Sequence, residues 1–173
     1  MSEKLLVING LQLNYQGVFE FDELMKVINK SVLDKGYSRH EKKFDEQVLP
    51  EGKNMYIELR PMKKKTNYYS LMVKIRMTLK NLTEVQMEID GIPKVMNQGE
   101  INIIFDAWTT TDYESRWATK PWFYFLKAVM NKYLYRQPME SGFPGEVASD
   151  TRFVYDQVRA ALGLYKYKTS ASK

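Results

Sequence analysis

Apolar and polar residues alternate over a long stretch of this chain, and this period requires a fold with a sheet at its centre. The clearest example is residues 69–80, where large apolar side chains occupy every second position. Residues 55–59, 85–89 and 101–107 repeat the pattern. Because successive side chains of a strand point to opposite faces, each segment predicts a strand with one buried face.

Apolar residues at helical spacing occur on both sides of the alternating stretch. Residues 21–32 carry them at intervals of three and four, and Lys35-Gly36 ends this helix. The spacing predicts further helices at about residues 119–135 and from residue 149 or 150 to Gly163. The predicted fold class is α+β: a single antiparallel meander sheet of about five to six strands, with one N-terminal and two C-terminal helices packed on one face.

The ends of the strands are predicted from turn residues. A strand over residues 4–15 is bent or broken at Asn9-Gly10 and closed by Gly17, and residues 41–48 form a weaker strand. Pro61 and the lysines after it end the strand that begins near Met55. Residues 139–148 read as a loop before the last helix.

The register of the central hairpin is predicted from its charges. If residues 81–83 form a three-residue loop, Lys80 faces Glu84 and Arg76 faces Glu88, while the apolar residues face one another. Turns are then predicted at residues 90–91 and 97–99, with a short edge segment around Pro93 between them.

Length and composition indicate one soluble domain. The chain has 173 residues, 44% of them hydrophobic, which predicts a single domain over residues 1–165 and a flexible tail over residues 166–173. It has no cysteine, which excludes disulfides, thiolate nucleophiles and zinc–thiolate sites and favours an intracellular compartment. No apolar run approaches the roughly 20 residues of a membrane span, so we expect a cytoplasmic protein without one.

The basic residues allow two interpretations. The net charge is +5, and the clustered or striped cations are candidate contacts to an anion or nucleic acid: Lys63, Lys64, Lys65, Lys74 and Arg76. The alternative is a solubilising surface whose strand cations are paired with acids on a neighbouring strand. We favour the second interpretation, because the excess of charge is modest for the length of the chain.

Residues that could carry catalysis are few. His40 is the only histidine and lies in a polar run, and the glycine-rich phosphate, dinucleotide and nucleophile-elbow motifs do not occur in the sequence. We therefore expect no enzyme activity, no catalytic residue, no metal site and no cofactor. The charged residues near position 112 could serve catalysis, but they are better explained as a structural corner before a helix: Asp112, Glu114, Arg116 and Trp117.

Three apolar residues fall on the otherwise polar side of the predicted sheet. They are Met72, Ile104 and Trp108. An apolar patch on a polar face usually marks a partner, a subunit interface or a covering loop. We take these three residues as a candidate interface for a protein partner or a homo-oligomer.

The sequence D-Y-E-S-R-W at residues 112–117, with Lys120-Pro121-Trp122 and the helix after it, resembles a family of small archaeal proteins that have no assigned activity. The resemblance extends to the first helix and its K-G-Y end at residues 35–37. It implies an archaeal, intracellular origin and no particular reaction. Lys120 and Trp122 depart from the family pattern, which affects the outer surface of the helix.

The leading functional hypothesis is a non-enzymatic intracellular binding or scaffolding domain that uses the candidate interface. One alternative is a carrier of an apolar ligand, with a curved sheet gripping the helix at Trp122, similar in outline to the START-like helix-grip fold. Another is a basic protein associated with RNA or the ribosome. The first alternative requires a cavity, and the second requires binding that weakens steeply with salt.

Overall fold

A computed structural model describes residues 4–38, 41–50, 52–66, 69–89, 91–111 and 142–171. The elements in chain order are β1 (Lys4–Phe19), α1 (Phe21–Asp34), β2 (Glu41–Leu49), β3 (Gly52–Leu59), β4 (Met62–Lys64), β5 (Tyr69–Ile89), β6 (Ile92–Thr111) and α2 (Gly142–Ala171). The helix predicted at about residues 119–135 lies outside the described residues. No helix within them has the length and apolarity needed to cross a bilayer.

The strands form one antiparallel sheet, which confirms the predicted α+β class. The order across the sheet is β1-β6-β5-β3-β2, and β4 pairs with the start of β5 beside β3. The first strand therefore lies next to the last one. Position 62 was predicted to follow the end of a strand, but Met62 begins β4, because Met62, Lys63 and Lys64 pair with Met72, Leu71 and Ser70.

The β5–β6 hairpin is the longest element of the sheet, and its register differs from the prediction. β5 continues through residues 81–83, so Lys80 pairs with Glu100 and Arg76 with Ile104. The chain reverses instead between Ile89 and Ile92, which pair with each other on the two sides of the predicted turn. The predicted loop at 81–83 is wrong because Leu82 is buried in the sheet, where it pairs with Lys53 of β3.

A bulge interrupts β5 between Lys80 and Thr83, where Asn81 has a positive φ of 53°. Glycines flank it on both neighbouring strands. A Cβ at Gly99 would lie 2.8 Å from the Lys80 carbonyl oxygen, and one at Gly52 would lie 3.0 Å from the Asn81 carbonyl carbon. Gly99 therefore permits close approach of two strands, and the turn predicted at residues 97–99 is wrong because these residues lie inside β6.

β1 is one bent strand that runs past its predicted end. Its pairing with β6 shifts between Leu6 and Leu11, and Gly10 within this region has φ +67°. Beyond the bend the ladder is regular to Phe19, opposite Asn97. Gly17 therefore does not close the strand.

The core lies between the helices and the inner face of the sheet, defined by the side chains of β5 and β6 that alternate with Lys74 and Asp106. On β5 these inner side chains are at most 2% exposed: Leu71, Val73, Ile75, Met77 and Leu79. α1 buries Leu24, Ile28 and Val32 in the same core, as its spacing predicts. The ring of Tyr155 on α2 meets that of Phe105 edge-on, with centroids 5.8 Å apart.

α2 is longer than predicted at both ends. It begins at Gly142 because Val147 is fully buried, so the apolar face starts a turn before residue 149, and Pro144 is tolerated in the first turn. It continues through Gly163 to Ala171. Its predicted face is confirmed by the burial of Thr151, Val154, Val158 and Leu162. The flexibility expected for residues 166–173 stays a prediction.

Candidate functional site

The outer face of the sheet carries a line of apolar side chains across four strands. Trp108 of β6 lies between Leu6 of β1 and Met72 of β5, and Met72 in turn faces Met62 of β4. We call these four residues the apolar row. Leu6 is 46% exposed and the other three are partly exposed. Met72 and Trp108, predicted from the sequence, are thus joined by two residues that the sequence reasoning missed.

Ile104 is on the same face but outside the apolar row. It pairs with Gln12 on one side and Arg76 on the other. Between Ile104 and Trp108 on β6 lies Asp106, which pairs with Lys74. Charged residues therefore separate Ile104 from the other two residues of the candidate interface. Only Met72 and Trp108 occupy directly opposite positions on neighbouring strands.

Asp106 holds together two strands from the outer face. Its Oδ2 lies 2.7 Å from a terminal guanidinium nitrogen of Arg76, and its Oδ1 accepts a hydrogen bond of 2.7 Å from the Gly10 backbone N–H. The carboxylate is only 5% exposed although no described helix covers this face. The second bond fixes the bend of β1, so Asp106 links the bulged strand to the charge on β5.

Glu58 on β3 is the other buried carboxylate of the outer face. It accepts hydrogen bonds from Arg60 Nε at 2.6 Å and from the Tyr56 hydroxyl at 3.0 Å, and Lys74 Nζ lies 3.5 Å away. Burial raises the pKa of the Glu58 carboxyl, but the bonds from Arg60 and Tyr56 and the charge of Lys74 outweigh it and hold the pKa below 4.5. Glu58 is thus a stable anion at neutral pH.

A second charged cluster joins β4 to α2. Lys63 Nζ and Lys65 Nζ lie 2.7 Å and 2.9 Å from the same oxygen of Glu146. We call Lys63, Lys65, Glu146, Asp150 and Tyr37 the helix clamp. Lys63 also approaches Asp150 at 3.5 Å, and the Tyr37 hydroxyl donates to Asp150 at 3.2 Å.

Contacts within the helix clamp shift the pKa values of Tyr37 and Glu146. Burial raises the pKa of the Tyr37 phenol, and the negative charge of Asp150 raises it further. Burial also raises the pKa of Glu146, but hydrogen bonds from Lys63 and Lys65 outweigh it, so that pKa is lowered. Tyr37 and Glu146 therefore keep one charge state across the neutral range, which suits a structural contact rather than proton transfer.

The predicted nucleic-acid contacts therefore fall into two unconnected places. Lys63 and Lys65 belong to the helix clamp, whereas Lys74 and Arg76 lie on the outer face beside Glu58 and Asp106. Lys64 is exposed on β4. Acids on neighbouring strands do balance the strand cations, as expected, but they are not the predicted Glu84 and Glu88, because the register differs.

Two open concavities lie on the outer face, on either side of β5. The larger, about 480 Å³, is lined mainly by polar side chains of β1, β5 and β6, among them Asn14, Asn102 and Lys80. The smaller, about 250 Å³, lies toward β2 and β3 and shares Thr78 and Lys80 with the first. Both lie beyond the charged residues when viewed from the apolar row.

Several predicted residues lie outside the described residues: His40, Asp112, Glu114, Arg116 and Trp117. The sequence motif that carries the family resemblance is among them. Comparisons of the chain with protein-family models, with curated proteins and with solved structures found no match, so the resemblance stays a prediction.

Proposed function

We propose that this chain is a non-enzymatic binding domain that uses the apolar row to bind another protein. The observation that carries the proposal is the alignment of Leu6, Trp108 and Met72 on one line of the outer face, with Leu6 nearly half exposed. Trp and Met are enriched at the centres of protein interfaces, where they supply large contact areas.

The surroundings of the apolar row favour an acidic partner. Lys4 lies at one end of the next line of residues, and it is exposed. On the other side, three cations (Arg60, Lys74 and Arg76) are paired with only two buried carboxylates (Glu58 and Asp106), so this group keeps a net positive charge. We therefore expect a partner surface with apolar side chains at its centre and carboxylates round them, because complementary charge directs association.

The test compares substitutions on one face of the sheet. The domain is used as bait in a lysate of its own source cells, the captured protein is identified and purified, and its affinity is measured. Trp108→Asp is expected to weaken binding by about 100-fold, as for a central interface residue. Asn102→Asp adds the same charge to the same strand and face outside the apolar row, and is expected to change affinity by less than about threefold.

Folding of each variant is checked by its thermal unfolding midpoint. Equal affinities for the Trp108→Asp and Asn102→Asp variants, or a domain that captures nothing under these conditions, would contradict the proposal.

The carrier hypothesis has one observation in its favour. β1 lies beside β6, and α1 and α2 pack on the same inner face, which is the outline of a helix-grip fold. Against it, the inner side chains of β5 are at most 2% exposed, and the concavities described above lie on the opposite face. Titration with a fluorescent fatty acid tests it: saturable binding that Met77→Trp abolishes would favour a carrier.

A further inference from the structure

β2 differs from the other strands because its side chains are exposed on both faces. Every residue from Lys43 to Leu49 is exposed, including Phe44 at 48% and Val48 at 75%. Phe44, Glu46 and Val48 lie on the inner side, since they pair with Ile57, Met55 and Lys53 of β3. The strand thus presents apolar side chains at a point that the described helices do not reach.

The backbone of β2 is open along one side. Among the described residues, β2 pairs with β3 alone and forms the end of the sheet. In an antiparallel ladder, alternate residues direct their N–H and C=O groups to opposite sides, so half of those in β2 point away from β3. An edge of this kind is a template for another strand.

The other edge of the sheet is protected. The pairing of β1 with β6 shifts twice between Leu6 and Leu11, and β1 also contacts α2. Bulges and covering helices are the usual devices that prevent edge pairing. β2 has a shift only between Glu41 and Lys43 and is regular from there to Leu49, so among the described residues no bulge interrupts these seven positions and no helix covers them.

We propose that two copies of this chain associate through β2, antiparallel, with Phe44 opposite the partner's Phe44. In that register Lys43 faces the partner's Asp45. The two-fold axis repeats this pair, and the Phe44 rings meet at the centre. Opposite charges and paired aromatics are the favourable cross-strand combinations.

Neighbouring registers are disfavoured by the same residues. Centring the pairing on Asp45 or Glu46 sets like charges across the axis, and centring it on Lys43 does the same with two lysines. Centring on Asp45 also places Phe44 against the partner's Glu46. Lys43 Nζ already lies 2.6 Å from Asp45 Oδ2 within one chain. With the axis at Phe44, Lys43 and Asp45 of the two copies form a group of four charges on the outer side, in which each charge faces one of opposite sign.

The expected dimer is weak and depends on concentration. Pairing through one strand buries less surface than the roughly 1,200 Å² of a stable interface. Both copies keep their inner faces on the same side, so the sheet continues across the axis. Phe44 loses much of its exposure, whereas Val48 lies toward the end of the pairing.

Single cysteines test the register, because the natural chain has none. Phe44→Cys places two thiols across the axis with Cα atoms about 5.5 Å apart, which fits a disulfide. Val48→Cys is the matched control on the same face, and its two copies would be about 26 Å apart along the strands. Under mild oxidation we expect disulfide-linked dimers from Phe44→Cys at a rate at least about tenfold higher than from Val48→Cys.

Charge exchange tests the pairing without a covalent bond. Lys43→Asp and Asp45→Lys each set like charges across the axis and are expected to weaken dimerisation about tenfold in sedimentation equilibrium. The double variant restores opposite charges and is expected to regain the wild-type dimerisation constant. Thermal unfolding of each variant confirms that the domain is folded.

The proposal is overturned if the natural chain stays monomeric at about 500 µM, well above the working range of weak interfaces. Equal oxidation rates for the two cysteine variants, or a double variant no better than the single ones, also overturn it. A dimer that Trp108→Asp dissociates and Lys43→Asp leaves intact would assign self-association to the apolar row instead. The outcome is thus separate from that of the proposed protein binding.

Discussion

The two faces of the sheet are held together by different forces, although the same strands form both. On the inner face, Ile75 and Phe105 pair across β5 and β6 and are fully buried. One position away, Lys74 pairs with Asp106 on the outer face, and the carboxylate is buried by the cations round it. A buried apolar side chain is stabilised when its volume and shape fit its neighbours, whereas a buried charged side chain requires a partner of opposite charge.

This difference means that equivalent substitutions have unequal effects on the two faces. A truncation on the inner face leaves a cavity, and its effect depends on how far the neighbours relax. A truncation on the outer face is expected to be most destabilising where it removes the partner of a buried charge.

The largest effect is expected from Phe105→Ala compared with Ile104→Ala. Phe105 is fully buried against Tyr155, so its truncation should lower the free energy of unfolding by about 3–5 kcal/mol. Ile104 is the neighbour of Phe105 on the outer face and is partly exposed, so the truncation of Ile104 should lower the free energy of unfolding by about 1 kcal/mol. Urea unfolding of the two variants measures the difference. Equal values would contradict the contrast between the faces.

The next largest effect tests the buried charge. Asp106→Ala removes the partner of Arg76 and the acceptor for the Gly10 N–H, and should destabilise the domain by about 2 kcal/mol, a value reduced because Arg76 is partly exposed. Glu100→Ala on the same strand and face is the control, at less than about 0.5 kcal/mol. In a double-mutant cycle with Arg76→Met, we expect measurable coupling. Additive effects would show that the ion pair has no stabilising role.

Tyr37→Phe tests the polar contact beside the inner core. It removes the hydroxyl that donates to Asp150 and keeps the ring, so we expect a loss of about 1 kcal/mol in urea unfolding. Tyr155→Phe is the matched control, since the contact of Tyr155 with Phe105 is through its ring. A smaller loss for Tyr37→Phe than for Tyr155→Phe would mean that the helix clamp contributes nothing through this bond.

The smallest expected effect is on the way the free energy of unfolding depends on pH under acidic conditions. The folded pKa values of Glu58 and Glu146 are lowered, so the unfolded chain binds more protons as the pH falls below about 4.5. The stabilisation is present above that pH and is lost as the pH falls through the folded pKa values. Glu58→Gln should therefore flatten the dependence of unfolding free energy on pH between about pH 5 and 3. An unchanged dependence would mean that Glu58 is not held by Arg60 and Tyr56 in solution.

The sequence predicted the elements that depend on local periodicity. The alternation in β5 and β6 and the spacing in α1 gave the correct faces, because burial of one side requires a fixed period. It could not predict the register at Lys80, because a loop at residues 81–83 and a bulge at the same residues both place an acid opposite Lys80: Glu84 in the predicted register and Glu100 in the observed one. The bulge is possible because Gly52 and Gly99, on the two neighbouring strands, let the backbone at Lys80 and Asn81 come close to them. Both glycines are distant from the bulge in the sequence, so local patterns do not show this contact.

The candidate site was predicted only in part for a similar reason. Met72 and Trp108 stand out as apolar residues on a polar face, but Leu6 and Met62 join them only through strand order. The salt bridges of Lys63 and Lys65 span more than 80 residues, and no local signal connects them to Glu146. Contacts between residues far apart in the sequence therefore could not be predicted from sequence patterns.

The bulge in β5 divides the long hairpin into a part that belongs to the sheet and a tip that does not. β1 ends opposite Asn97, so residues 84–89 and 91–96 form a two-stranded ribbon beyond it. Removing or adding residues in matched pairs at that tip would keep each side chain on its own face. The end of the ribbon around the Ile89–Ile92 pair, beyond buried Met96 and the Lys94–Glu20 ion pair, is thus a natural place to graft a peptide epitope or a fluorescent label.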